Sequence, residues 1–226
     1  MMSIDQQREA LNHSGLEMFS LCKKQLVNAQ EAFFTHDNDL AEEVIHTENR
    51  VNGLDLKIDR DCERFIALYN PVAGDLRFVL ALRKINFDLE RIGDHSYGIS
   101  KYIVEIDLTP DERLLELLQV KEMFDSALSM LDDISEAYKS GNSKKARKVF
   151  KKDKVLNKIN MKAFGIISTE VKKDPQIIDQ VMLLFSVIKK LERIGDLVTN
   201  IAEEIIFFKE AEVVKHQKKS AVKRKK

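Results

Sequence analysis

At 226 residues the chain has room for two compact domains of about 100 residues each, or for one long helical array. Charged residues make up 33% and apolar residues 44%, with 8 Gly, 3 Pro and no Trp, a balance that favours helices with solvated outer faces and argues against strand-rich folds. With 37 basic and 37 acidic residues the formal net charge is zero, so no whole-molecule field draws the protein to nucleic acid or anionic lipid.

Met1 to Ala10 contains Asp5 and Glu9 and no apolar run, so no secretory signal is expected there. The pattern of apolar residues predicts six helices over roughly 5–35, 39–69, 71–104, 110–139, 143–172 and 175–212. The first ends in the polar turn His36-Asp37-Asn38. The second carries a core stripe of Val44, Val51, Leu54, Ile58, Cys62, Phe65 and Tyr69, spaced by threes, fours and sevens. The third is expected to open at Asn70-Pro71, with Asn70 as N-cap and Pro71 at the first helical position. The fourth is expected to open at Thr109-Pro110, where Glu112 adds a capping-box spacing, and its Met123, Phe124 and Met130 read as core fillers. The turn Ser140-Gly141-Asn142-Ser143 leads into the fifth, and Asp174-Pro175 opens the sixth. The longest apolar stretch, Val181 to Ile188, is far too short to span a bilayer, so no direct membrane insertion and a cytoplasmic location are expected. The basic end, Lys215 to Lys226, has seven Lys or Arg and no acid and reads as a disordered, solubilising tail. Cys22 and Cys62 form no CxxC pair and read as reduced core thiols.

Leu89-Glu90-Arg91-Ile92-Gly93-Asp94 recurs letter for letter as Leu191-Glu192-Arg193-Ile194-Gly195-Asp196, 102 residues later. Val44-Ile45 before Glu48 has a counterpart in Val149-Phe150 before Asp153, and Pro71 has one in Pro175. The expected architecture is therefore all-α: two tandem, internally duplicated three-helix bundles over 1–106 and 107–214, followed by the tail 215–226.

Glu and Asp four apart share one helix face, where like charges are destabilising by a few tenths of a kcal/mol, and a mid-helix Gly costs about 1 kcal/mol relative to Ala. A chain that carries both twice is expected to use them. Glu90 and Asp94 fall on the flank of the third helix and would meet the second, whose own flank carries Glu48, Asn52, Asp55, Asp59 and Glu63. Two facing carboxylate rows can supply the oxygen ligands that Mg²⁺, Mn²⁺ or iron require. On this reading Asp55, Asp59, Glu90 and Asp94 converge on one cation. The competing reading is a solvated charged face with ion pairs, for instance Glu90 with Arg83, each contributing little. His95 points about 100° from Asp94 and reads as a surface histidine rather than a ligand. A di-iron enzyme would need two Glu-x-x-His motifs, and only Glu43-Val44-Ile45-His46 fits. No nucleophile with an adjacent base and no glycine-rich phosphate loop is present, so regulation by binding, without catalysis or an organic cofactor, is the expectation. A metal-dependent phosphatase or oxidase at the carboxylate site, and an inert helical scaffold, are the alternatives.

The ordered constellation Ile58-Asp59, Cys62, Arg64, Ile66-Ala67, Pro71, Ala73, Asp75-Leu76-Arg77 and Leu89 to Asp94, together with the second hexapeptide, resembles the PhoU family of bacterial phosphate-transport regulators. The likeness runs over nearly all of 5–210. It implies tandem three-helix bundles and repression of phosphate-starvation signalling when phosphate is plentiful. It also implies contacts with the phosphate ABC transporter, through its ATPase subunit, and with a phosphate-sensing histidine kinase. A homodimer is the expected assembly. Metal clusters of iron, Mn, Mg or Zn on Glu/Asp-x-x-x-Asp motifs are implied as well, on Asp55 and Asp59 with Glu90 and Asp94 in the first repeat, and on Glu192 and Asp196 in the second. There Asn160 and Phe164 stand opposite Asp55 and Asp59, leaving Asp153 and Asn157, so the second site is expected to be weaker or empty.

Overall fold

The computed structural model describes residues 3–106, 109 and 111–214. The expected helix start at Pro110 and the basic tail lie outside the described residues. All regular structure among the described residues is helical: α1 (Ile4–Thr35), α2 (Asn38–Tyr69), α3 (Ala73–Glu105), α4 (Glu112–Leu117), α5 (Val120–Ser140), α6 (Ser143–Ala146), α7 (Val149–Lys173) and α8 (Ile178–Glu210), with a 3-10 turn over Pro175–Ile177. No described helix is long and apolar enough to cross a membrane.

The helix ends follow their capping chemistry, with two corrections. Asp174 caps the last helical segment through the Gln176 N–H at 3.0 Å, as expected, and within the polar turn before α2 it is Asp37 that caps, through the Leu40 N–H at 2.9 Å. Asn70, however, closes α2 in the left-handed conformation instead of opening α3, and α3 starts at Ala73. Asn tolerates that conformation because its short amide can satisfy the local backbone. Thr109 likewise gives way to Asp111, whose carboxylate accepts from the N–H groups of Arg113 and Leu114.

The two helices expected over 110–139 and 143–172 are each interrupted. Leu118 and Val120 are both buried. Two residues apart on a continuous helix they would face about 200° around, so the left-handed Gln119 re-phases the stripe and lets both reach the core. At Arg147 and Lys148 the chain keeps helical dihedrals but tightens, with the Lys148 N–H donating to the Lys145 carbonyl at 3.0 Å.

α2, α3, α8 and α7 lie side by side in one layer, with α1 packed on α2 and α3, and α5 packed on α7 and α8. α3 and α8 run antiparallel, as Phe78–Phe208 (5.9 Å between ring centroids) and Lys84–Glu204 (3.1 Å) record at successive positions along the seam. The repeats share one contiguous core. Phe19 packs on Tyr138 at 5.2 Å and Phe33 on Phe124 at 5.7 Å, each pair joining the first repeat to the second. The hexapeptides thus sit mid-layer, where the third helix of each repeat meets both its own second helix and its counterpart.

Candidate metal centre

Gly93 explains why the first hexapeptide can lie against α2. A Cβ there would stand 2.9 Å from Gln25 Oε1, 3.2 Å from Val51 Cγ1 and 3.4 Å from Glu48 Oε2. The missing side chain brings α3 close enough for Glu48, on the flank of α2, to be buried beneath it. Glu48 Oε2 accepts from Gln25 Nε2 at 3.0 Å, while its Oε1 is buried and makes no hydrogen bond. Burial raises its carboxyl above the ordinary range, the Gln25 hydrogen bond pulls the other way, and the Asp94 charge adds to the rise.

Three further carboxylates share this neighbourhood. Asp55 Oδ1 accepts from Asn86 Nδ2 at 2.6 Å, and burial, then the charge of Asp59, raise its carboxyl against that hydrogen bond. Glu90 is pushed up to about 7 by burial first and then by Asp94, Asp55 and Glu48, with Arg91 opposing. Glu48, Asp55, Glu90 and Asp94 therefore form a mutually repelling row between α2 and α3. Glu48 lies on the α2 flank that helical spacing predicts, at the position that Asp153 occupies in the second repeat; that correspondence was the signal in the sequence pointing to it.

Asp59 acts on Asp55 through its charge but is itself held by a cation. It faces Arg83 Nε at 3.5 Å, and Arg83 also reaches Glu63 at 3.6 Å. Arg83 is thus the partner of α2 acids and not of Glu90, the pairing that the competing reading offered. The expected closure of Asp55, Asp59, Glu90 and Asp94 on one cation is not present in these side-chain positions. Among the described residues no three His, Cys, Asp or Glu side chains are gathered closely enough to hold a metal ion.

The donor chemistry of the row nonetheless fits a hard cation. Its oxygens are carboxylate oxygens, one of them buried without a hydrogen bond, and the carboxyls raised by burial first and by neighbouring carboxylates next are ones whose charged form a bound cation would favour. Both thiols are withdrawn: Cys22 donates to the Leu89 carbonyl at 3.2 Å, and burial raises both sulfhydryls, Cys62 to about 12. A thiolate zinc site is therefore disfavoured.

The second repeat reproduces the close approach without the row. Gly195 backs on α7, where a Cβ would meet Leu156 Cδ1 at 2.5 Å and Asp153 Oδ1 at 3.3 Å. Asp153 is buried and its Oδ2 accepts from Asn157 Nδ2 at 2.7 Å. Glu192 is partly buried and Asp196 exposed on α8. Where the first repeat has Asp59 the second has Phe164, 72% exposed, next to Met161 at 82%. His95, read as a surface residue, is in fact half-buried, and its ring is held neutral: burial first, then Lys190, Arg91 and Arg193, lower its pKa to about 4.

The description PhoU domain matches the chain twice, over residues 16–103 and 120–205, so each match spans one repeat with its carboxylate flank. The PhoU homologue of Borreliella burgdorferi, named a phosphate-specific transport system accessory protein, is 35% identical over 187 residues, covering 81% of this chain and 84% of its own. The Aquifex aeolicus homologue is 32% identical over 216 residues, covering 96% and 97%. The crystal structure of PhoU from Pseudomonas aeruginosa superposes with a TM-score of 0.88 at 26% identity, over 93% of this chain and all of that one. The phosphate transport system regulatory protein PhoU from Streptococcus pneumoniae gives a TM-score of 0.82 at 27% identity, over 94% of this chain and 99% of that one.

Proposed function

The chain belongs to the PhoU family, and from that premise we propose that it regulates phosphate homeostasis by binding, holding phosphate-starvation signalling off when phosphate is plentiful. The observation that carries this reading is the double family match over a shared two-repeat core, with relatives named for phosphate transport aligned along nearly the whole chain. A protein built this way can bias a partner between two states through differential affinity, without performing chemistry. The partners we propose are the ATPase subunit of a phosphate ABC transporter and a phosphate-sensing histidine kinase, engaged in the cytoplasm. Charged flanks and exposed apolar side chains such as Phe87, Met161 and Phe164 on one layer suit a protein-binding face.

We further propose that Glu48, Asp55, Glu90 and Asp94 hold a hard divalent or trivalent cation such as Mg²⁺, Mn²⁺ or iron, with Asp59 joining when it leaves Arg83. The cation would neutralise the row and set the face that α2 and α3 present to a partner. Glu192, Asp196 and Asp153 would form a weaker second site.

Deletion of the gene tests the regulatory reading. Phosphate-starvation genes should then be expressed in phosphate-rich medium, and silent genes after deletion would refute the reading. Glu90→Ala with Asp94→Ala in a protein that still folds separates the two proposals: unchanged repression would leave the regulatory role intact and remove the cation from it.

A further inference from the structure

α7 is an edge helix of the four-helix layer, packed on α8 and α5 with its outer side in solvent. Its sequence holds seven Lys, no Arg and two acids. Both acids, Asp153 and Glu170, are buried, so the solvent side carries positive charge alone. Lys151, Lys154, Lys158 and Lys162, at spacings of three, four and four, share one exposed face. Lys172, also exposed, lies in line with Lys154 about five turns on. Among the described residues none of these five closes an ion pair, whereas Lys152 and Lys173 are held by Asp133 at 2.6 Å and Glu170 at 2.7 Å. Met161 stands beside the stripe with 82% of its surface exposed. The opposite edge of the layer, α2, is the reverse case, with eight acids against four Lys or Arg in its sequence.

The residue types decide which anions such a face suits. Protein interfaces are enriched in Arg, whose planar fork binds carboxylates in pairs, and depleted in Lys. A stripe of Lys alone offers no such directional donors. It suits a diffuse sheet of negative charge, because the long lysine stem lies along apolar surface while its ammonium reaches outward to phosphate groups. An exposed methionine beside the lysines adds apolar area that lipid can take up. A second copy of the chain is a poorer fit, since Glu43, Asp61, Asp59 and Glu63 of the acidic edge are already held by Lys24, Lys57 and Arg83. The zero net charge does not oppose contact, because ionic screening limits the reach of each charge to about 8–10 Å and the local edge decides.

We propose that the outward face of α7 docks on an anionic phospholipid membrane, with Lys151, Lys154, Lys158 and Lys162 over the headgroups and Met161 dipping among them. The contact is with the lipid surface, and no helix crosses it. A chain held by this edge keeps the broad face of the layer free for a protein partner. The docking face uses none of the carboxylates assigned to the cation and neither of the proposed protein partners, so it stands independently of both.

Co-sedimentation of the full chain with lipid vesicles tests the face. Binding is expected to vesicles of equal parts phosphatidylglycerol and phosphatidylcholine, falling steeply in high salt, and not to phosphatidylcholine alone. Lys154→Gln with Lys158→Gln and Lys162→Gln should weaken it roughly a hundredfold, at about fivefold for each lysine beside an anionic surface. Met161→Gln should weaken it several-fold. The same charge change on the far side of the molecule, Lys24→Gln with Arg50→Gln and Arg60→Gln, should leave binding as it is. Circular dichroism checks folding, and the exposed single change Lys158→Glu carries the test if the triple α7 variant unfolds. Equal binding to neutral vesicles, no binding to anionic ones, or a folded α7 variant that binds normally overturns the proposal. In the last case, failure of a chain ended at Val214 to bind would place the contact in the basic sequence 215–226. Self-association that the α7 variant abolishes, seen by sedimentation velocity where vesicle binding is absent, would assign the face to a second copy.

Discussion

Glu90 is the residue whose ionisation should report on the candidate cation site. Its carboxyl rises from 4.5 to about 7 in the folded chain, burial first and neighbouring carboxylates next. The folded state therefore binds this proton more tightly than the unfolded state. That contribution to stability is fully present below pH 4.5 and is lost as pH rises through about 7. A cation must displace the same proton, so Mn²⁺ binding should strengthen between about pH 5 and 8 and release protons in weakly buffered solution. Glu90→Gln should reduce the proton release, and a pH dependence unchanged by that substitution would remove Glu90 from the ligand set. Gly93 offers a test of packing at the same place. Replacing it with Ala gains about 1 kcal/mol of helix propensity but drives a methyl into Gln25 and the stiff Val51, so a net loss of about 1–2 kcal/mol is expected in urea titrations. Gly53, in α2 and with nothing within 4 Å of its would-be Cβ, should gain stability when changed to Ala, by about 0.5–1 kcal/mol.

At the scale of elements, the two second helices have diverged more than the two third helices. α3 and α8 keep all six hexapeptide residues, while α7 has Asn160 and Phe164 where α2 has Asp55 and Asp59. Fewer carboxylates around Glu192 and Asp196 mean fewer oxygen ligands and less stored repulsion for a cation to relieve. Glu90→Ala should therefore reduce Mn²⁺ affinity more than Glu192→Ala in side-by-side calorimetry. Equal losses would show that the divergence of α7 does not matter to binding. The exposed Phe164 and Met161 that replace the acidic face give α7 a surface suited to apolar contact instead.

The whole molecule behaves as one packing unit although it was built by duplication. Phe19–Tyr138, Phe33–Phe124 and Phe78–Phe208 cross the repeat boundary, and α3 packs against α8 along most of its length. Removing one repeat would expose these aromatic faces, each of which adds about 0.5–1.5 kcal/mol beyond its area burial. A single cooperative urea transition, coincident by far-ultraviolet circular dichroism and by tyrosine fluorescence, is the expected result for the full chain. Two resolved transitions would mean that the repeats unfold independently and that the seam between them is weak.

Periodicity and repetition by themselves determined the helical class, the duplication, and the flank on which Glu90 and Asp94 meet α2, because these follow from residue spacing on a helix of known pitch. The capping role of Asp174 and the polar turn around Asp37 were legible for the same local reason. Asn70 was misassigned because Asn serves both as an N-cap and as a left-handed helix end, and only the path of the chain chooses between them. Gln119 carries no local break signal; α4 and α5 part there because Leu118 and Val120 both have to reach a core assembled from both repeats. The partners of individual charges were equally out of reach of the sequence. Arg83 is near enough along α3 to pair with Glu90 and instead turns to Asp59 and Glu63, and Glu48 enters the row because Gly93 admits it. Burial first, and then charges from both α3 and α8, lower the pKa of His95 because those two helices pack together. Spacing along one helix fixes which side chains share a face, but which charges meet across helices depends on how closely and in which direction those helices pack, and that is decided by the tertiary structure.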